Sequence, residues 1–339
     1  MWGPTGAPRP CLGGRVRDSV GGREGGPSVV RGGKTAYKGT SVDAIVHQYD
    51  YLGDFYQLIL GDRLVYSYAL WEPGDTLEQA QLRKLDHHAE AARAIGAERV
   101  LDVGCGYGSM VHRLVEEHGV KRAVGLNMSP SQSAWAREQD WPGCEIRVEN
   151  WFDHEPEAPY DAIIAIEAVE HFAGNTLWRS TRVARYRQFF QRSHSWLRPG
   201  GRMSIQANAW DDRGWLRSLV LPSGAAPRRG PDAVIGGLRN VWEGWQASRK
   251  VYPETCLPTF AELNEASSGL FRIVAARKDP ADGVATVRAW TERAEALRER
   301  GAELVGPQTV SAIISEQRTA LRFLQEGRFT LQRIVLERI

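Results

Sequence analysis

An open α/β fold, a mostly parallel sheet with helices on both faces, is predicted for this chain of 339 residues. Three observations predict it. From about residue 97 onward, short apolar runs of strand length alternate with longer segments of helical periodicity, which implies parallel strands joined by crossover helices. The first run stops at a glycine-rich turn, Gly104-Cys105-Gly106-Tyr107-Gly108, set between strand and helix. The composition, 42% hydrophobic and 25% charged, is that of a globular chain long enough to bury one large core.

The elements follow in order. Residues 41–96 are expected to form an N-terminal helical cap. Within it, 41–72 are rich in aromatics (Tyr49, Tyr51, Phe55, Tyr56, Tyr66, Tyr68, Trp71) and read as short helices with turns. Residues 75–95 read as one helix, because Leu77, Ala80, Leu82, Leu85 and Ala89 recur near helical spacing behind Asp75 or Thr76 as N-cap. In the domain spanning 97–339, strands are expected at 99–103, 122–126, 145–149, 161–166 and 202–207, the last entered through the Pro199-Gly200-Gly201 turn. Helices at 110–117 and 131–138 lie between them. Two further strands, 271–276 and 329–337, alternate with helices at about 284–300 and 309–326, expected outside the sheet. Residues 211–255, rich in Pro, Arg and Trp with weak periodicity, read as a lid inserted near the active site.

The net charge of +2 is unevenly placed. Residues 1–40 carry seven Lys/Arg against Asp18 and Glu24, leaving −3 on the rest. This Gly/Pro-rich tail has no apolar run, so it lacks the core of a signal peptide and cannot bury enough surface to order itself. It reads as a disordered basic extension. A slightly acidic body argues against a nucleic-acid partner. No uncharged apolar stretch is long enough to span a membrane. Cys11, Cys105, Cys144 and Cys256 show no paired spacing, so neither a disulfide framework nor a zinc site is indicated. A cytoplasmic enzyme is expected, with homo-oligomerisation left open.

In an open α/β sheet, ligands bind beyond the C-terminal strand ends where strand order reverses. The loop Asp102-Val103-Gly104-Cys105-Gly106-Tyr107-Gly108 falls there, and its glycines allow close backbone approach. A dinucleotide fingerprint would read G-x-G-x-x-G with an acid about 20 residues on. The second strand instead ends in Leu126-Asn127, without that acid. G-x-G-x-G with a leading Asp102 resembles the S-adenosylmethionine (SAM) loop of Rossmann-like class I methyltransferases, and the resemblance implies that fold class.

The flanks make the resemblance specific. His47-Gln48-Tyr49-Asp50, Asp54-Phe55-Tyr56, Tyr66-Ser67, Trp71-Glu72 and Thr76-Leu77-Glu78-Gln79-Ala80-Gln81 precede the loop. Asn127-Met128-Ser129, Gln132, Glu170-His171-Phe172, Leu197-Arg198-Pro199-Gly200-Gly201, Leu257-Pro258 and Thr286 with Trp290 follow it. Together they resemble the cyclopropane-fatty-acid-synthase-like methyltransferases over about residues 45–339, except 174–190 and the lid. The resemblance implies that Tyr66, Ser67, Asp102, Gly104, Gly106, Asn127, Met128, Gln132, Trp151 and Ile166 surround SAM. Trp151 would edge the adenine, the plainer alternative being a core Trp.

The departures redirect the chemistry. Cyclopropane synthases hold bicarbonate through four residues, and the matching positions here are Tyr68, Glu170, Gln206 and Gly283. Only the carboxylate remains. The resemblance therefore implies an alkene acceptor whose methylated carbocation loses a proton to Glu170, the alternative for that residue being a carboxylate paired with an Arg. Tyr49, Tyr51, Tyr68, Gln206 and Trp210 are expected to line the acceptor pocket, the aromatics adding cation–π support. Arg179, Arg182 and Arg185 recur every third residue with Tyr186 alongside, which suits a diphosphate, with Mg²⁺ carried by it, as well as a solvated basic face. Arg182, Arg185 and Tyr186 are the expected grip. Within the family the pattern resembles the prenyl-diphosphate C-methyltransferase branch, which implies geranyl diphosphate methylated at C6. A C- or N-methyltransferase on an aromatic scaffold, a lipid cyclopropane synthase and a non-catalytic SAM-binding protein are the rival readings.

Overall fold

The computed structural model describes residues 39–41, 43, 44, 49, 53–174, 178–210, 212 and 254–339. Tyr51, nearly all of the expected lid and nearly all of the basic tail lie outside the described residues. Two helices, α1 (Gly53–Ile59) and α2 (Leu77–Ala91), precede β1 (Arg99–Val103). Thr76 caps α2 through a capping box with Gln79, which satisfies two orphan amides and sets the helix start. There follow α3 (Ser109–Glu116), β2 (Arg122–Asn127), α4 (Pro130–Glu138), β3 (Cys144–Val148), β4 (Tyr160–Ile166) and a 3₁₀ turn, Val169–His171. Then come α5 (Arg179–Trp196), β5 (Leu197–Trp210), α6 (Phe260–Ser267), β6 (Phe271–Lys278), α7 (Pro280–Ala296), α8 (Arg298–Val305), α9 (Pro307–Gln325) and β7 (Phe329–Arg338).

The seven strands form one sheet in the order β3-β2-β1-β4-β5-β7-β6. The first five are parallel, as the alternation of elements predicts, while β7 runs antiparallel between β5 and β6. The chain moves outward from β1 to β3 and then restarts at β4 on the other side. The β1 and β4 C-terminal ends therefore frame the switch point, where neither loop crosses the other's path.

Two expectations need correction. The strand expected at 202–207 runs from Leu197 to Trp210, because β7 pairs with it continuously from Arg202↔Glu337 to Trp210↔Phe329. The helix expected at about 284–300 is two, α7 and α8, with Pro280 opening α7 in the first turn.

Apolar faces explain the layers. On one side of the sheet Ile163, Ile205 and Ile334 pack under Tyr186, Phe189 and Phe190 of α5. On the other, Val100, Ala123 and Ile164 meet Leu85 of α2 and Val111 and Leu114 of α3. A third cluster joins Phe55 and Ile59 of α1 to Val287 and Trp290 of α7 and Ile313 and Phe323 of α9. The helices expected outside the sheet thus build a core of their own beside β7.

Candidate active site

The loops after β1 and β4 meet at the switch point. Gly104 stands at φ +84°, and a Cβ there would come within 2.6 Å of the Ala168 Cβ. Only glycine lets the two loops approach so closely. Gly106 has φ +54°, and a Cβ there would meet nothing within 4 Å. It borders open space. Asn127, at the end of β2, donates from Nδ2 to the Gly106 carbonyl at 3.0 Å and to Gln132 Oε1 at 3.2 Å, tying the glycine loop to α4.

All ten residues expected around SAM, from Tyr66 to Ile166, line one cleft at this point, joined by Tyr49 from the N-terminal segment. Trp151 is buried beneath it, with Phe172 at 5.1 Å and Phe189 at 5.3 Å between ring centroids. Asp102 is buried and its carboxyl is pushed up to about 7, first by desolvation, with Lys84 opposing.

Lys84, Glu167 and His171 also line the cleft. The sequence reading passed over Lys84. It is wholly buried on α2, where it donates to Ser67 Oγ at 2.5 Å. Desolvation, only partly offset by Glu167, lowers its ammonium to about 7. The signal was available: Gln81, Lys84 and His88 share the inward face of α2 with Leu77, Ala80, Leu85 and Ala89, and polar residues on an apolar stripe mark a buried network.

Glu167 is a non-glycine residue at φ +52°, a conformation costing about 1–3 kcal/mol unless its surroundings impose it. They do. Its Oε1 accepts from the Tyr68 amide at 2.7 Å and from Gln206 Nε2 at 2.7 Å, and its Oε2 accepts from Asn208 Nδ2 at 3.3 Å. Burial raises its carboxyl above the usual range, against which these donors and the Lys84 and Arg333 charges act. Gln206, expected in the acceptor pocket, is buried and held. It donates to the Tyr68 carbonyl at 2.8 Å and accepts from Arg333 Nε at 2.8 Å. Arg333 is in turn fixed by Asp282, 2.8 Å away, and by Asp279.

Glu170 lies just behind the cleft, 3% exposed. Its Oε1 accepts from the Asn208 amide at 2.7 Å, and its Oε2 has no hydrogen-bond partner. Among the described residues no cation pairs with it, so the reading of Glu170 as half of an ion pair is not what is found. Desolvation, reinforced by Glu167, raises its carboxyl to about 8. Burial holds the adjoining His171 neutral, at about 4, with Tyr49 Oη 3.2 Å from its Nε2.

The four positions matching the bicarbonate ligands converge. Tyr68 is bonded to Gln206 through its carbonyl, and a Cβ on Gly283 would lie 3.2 Å from the Tyr68 ring. Tyr68 packs against Trp290 at 5.8 Å, and Trp210 meets Phe329 edge-on at 6.2 Å. Trp210 thus stands at the rim of the aromatic cluster around Tyr68, its amide bonded to the Pro258 carbonyl at 2.9 Å.

The arginine stripe needs correction. Arg182 is 8% exposed and donates from Nε to Glu262 Oε1 at 2.9 Å, with Nη2 on the same oxygen. Tyr186 is buried and donates to the Cys256 carbonyl at 3.1 Å, while Arg179 pairs with Glu265 at 2.6 Å. These groups bind α6 and its approach. Arg185 donates one bond, to the Ala173 carbonyl, of the five a guanidinium offers. It is half-buried.

Known proteins resemble the chain over the same region. A family profile, mycolic acid cyclopropane synthetase, matches residues 37–317. Cyclopropane mycolic acid synthase 2 of Mycobacterium bovis is 27% identical over 275 residues, covering 79% of this chain and 85% of the relative. The cyclopropane synthase MmaA2 structure from Mycobacterium tuberculosis superposes with a TM-score of 0.74 at 21% identity, over 88% of this chain and 99% of that one. A geranyl diphosphate methyltransferase solved with SAM superposes at 0.55 and 15% identity, over 81% and 98%.

Proposed function

The chain belongs to the mycolic acid cyclopropane synthetase family and is a SAM-dependent methyltransferase, and within that chemistry we propose that it methylates an alkene carbon of a prenyl diphosphate. Geranyl diphosphate, methylated at C6, is the favoured acceptor. The observation that carries the reading is Glu170: a buried carboxyl with one oxygen fixed by a backbone amide and the other unpartnered, where the bicarbonate positions otherwise read Tyr68, Gln206 and Gly283.

The residues present suit SAM: Gly104 and Gly106 line the cleft, and nothing stands within 4 Å of where a Cβ on Gly106 would lie. Tyr66, Ser67, Asp102, Gly104, Asn127, Met128, Gln132, Trp151 and Ile166 would hold it. When bound, it supplies an electrophilic methyl on a sulfonium. The acceptor's π electrons would form the new C–C bond to that methyl as its bond to sulfur breaks, the bonding pair staying on the sulfur as a neutral thioether, and a carbocation is left on the neighbouring acceptor carbon. Glu170, ionised, favours that cation electrostatically and takes the adjacent proton, so that the C–H pair becomes the new double bond. Tyr49 and Tyr68 present aromatic faces, each worth about 0.5–2 kcal/mol to a cation.

Arg185 is the side chain best suited to the diphosphate, with Arg182 and Tyr186 supporting α5 from behind. Among the described residues no set of three or more His, Cys, Asp or Glu could hold a metal. An Mg²⁺ ion would be carried chiefly by the diphosphate oxygens. The solved geranyl diphosphate methyltransferase supports the reading by fold alone.

A second reading, cyclopropanation of a lipid alkene, is favoured by the identity to cyclopropane mycolic acid synthase 2. One experiment separates them. The chain is incubated with SAM and either a prenyl diphosphate panel or unsaturated phospholipid, with and without EDTA, and products are read by mass spectrometry. A methylated C₁₀ diphosphate supports the proposal; cyclopropyl lipid as the only product overturns it.

A further inference from the structure

One residue holds two carboxylates, Glu170 buried and Glu167 half-buried. The Asn208 amide donates to Glu170 Oε1 at 2.7 Å, while its side-chain Nδ2 donates to Glu167 Oε2 at 3.3 Å. Glu167 is saturated by these donors and those of Tyr68 and Gln206, whereas Glu170 keeps one oxygen without a partner. Glu167 also adopts a left-handed backbone, φ +52°, that a glycine would occupy without strain. Its side chain is what the position is used for.

We propose that Glu167 is a positioning residue for the methyl transfer, a fixed negative charge set beside Glu170 by Tyr68, Gln206 and Asn208. It does not touch the acceptor's departing proton; it acts through its neighbour. This rests on the reading of Glu170 as the base.

The charges around the pair support it. Lys84 from α2 and Arg333 from β7 face Glu167 and favour its ionised form. Glu170 is faced by Glu167, by Tyr49 from the N-terminal segment, by Tyr68 ahead of α2 and by Tyr186 from α5. His171 beside it is neutral. The cations oppose the rise that burial imposes on Glu167, and burial, reinforced by the Glu167 charge, keeps Glu170 near 8. Of two like charges in one site, the less well partnered holds its proton more tightly.

The test separates charge from shape. Full-length protein with ¹³C-labelled Glu carboxyls is titrated by NMR, and E170Q identifies the Glu170 signal. E167Q removes the charge and keeps the outline; the unpartnered Asn208 Oδ1 can turn to accept from the new amide. E167D keeps the charge. In wild type and E167D the Glu170 midpoint is expected near 8, and in E167Q at least about one unit lower, a tenfold loss of proton affinity. The acid limb of kcat/KM should move with it. An E167Q midpoint equal to wild type, or the same fall in E167D as in E167Q, would overturn the proposal. Should E167Q not fold, the E167D midpoint decides, a fall of a unit there counting against charge. Near-wild-type turnover by E170Q would instead sink the base assignment, whatever the titration gives.

Discussion

Arg182→Ala tests what the arginine stripe of α5 is for. Arg182 and Glu262 are 8% and 1% exposed, and the guanidinium places two nitrogens on Glu262 Oε1. The other oxygen, Oε2, is occupied by the Thr259 amide at 3.0 Å, the capping box of α6. Deleting the guanidinium leaves a buried carboxylate with a single strong donor. Breaking a buried pair from one side costs about 3–5 kcal/mol. At about 2 °C per kcal/mol for a chain of this size, Tm should fall by roughly 5–10 °C. R182M/E262Q removes both charges, and Gln still serves a capping box, so most of the loss should return. Calorimetry on the three proteins measures this, with KM for geranyl diphosphate measured on the stable double variant. An unchanged Tm in Arg182→Ala would refute the structural assignment. A KM raised tenfold in the recovered double variant would give Arg182 back to the diphosphate.

Other expectations follow from the site. Gly104→Ala forces an L side chain to φ +84° with its Cβ 2.6 Å from Ala168; left-handed strain of about 1–2 kcal/mol plus overpacking of about 1–3 kcal/mol should lower SAM affinity at least tenfold by titration calorimetry, and unchanged affinity would move the cofactor elsewhere. Glu170→Gln should reduce kcat by at least about 10²-fold while sparing SAM binding. With Glu170 near 8, against an ordinary 4.5, wild-type kcat/KM should rise with pH toward about 8. The same raised carboxyl stabilises the fold below its ordinary value and stops doing so as pH rises through 8. Glu170→Gln should thus lose less Tm than wild type between about pH 6 and about pH 9; an equal loss would count against a buried, protonated Glu170. Trp210→Ala should shift preference from C₁₀ toward C₁₅ diphosphates in a competition assay, and a fixed ratio would mean that Trp210 walls no acceptor.

What was legible follows the physics of each signal. Most of the parallel half of the sheet could be read because its inner strands are buried apolar runs bounded by turns, whereas the edge strand β3 buries only Ile146. The cofactor cleft could be read because a close backbone approach leaves glycines behind, and Gly104 is such an approach. The pairing of β7 between β5 and β6 could not, since antiparallel insertion after a long connection has no local periodicity. Arg182 misled for a similar reason. Its partner Glu262 lies 80 residues away, and a one-dimensional stripe of arginines looks the same whether it faces a phosphate or a carboxylate.

The exchange of residues around Glu170 forms one connected change. A cyclopropane synthase of this family would have bicarbonate where Tyr68, Gln206 and Gly283 now stand. Here Gln206 is locked between Arg333, Glu167 and the Tyr68 carbonyl, so its amide has no donor left for a bound anion. The Tyr68 ring lies 3.2 Å from where a Cβ on Gly283 would be, so a larger residue at 283 would press on this tyrosine and on Leu324. In the proposed reading the base is the protein's own carboxylate, Glu170, rather than a bound ion. An ion that accepts protons from several positions suits ring closure. In the proposed reading Glu170, its Oε1 held by the Asn208 amide and its Oε2 unpartnered, would remove one particular proton, the step by which a methylated cation ends as an alkene.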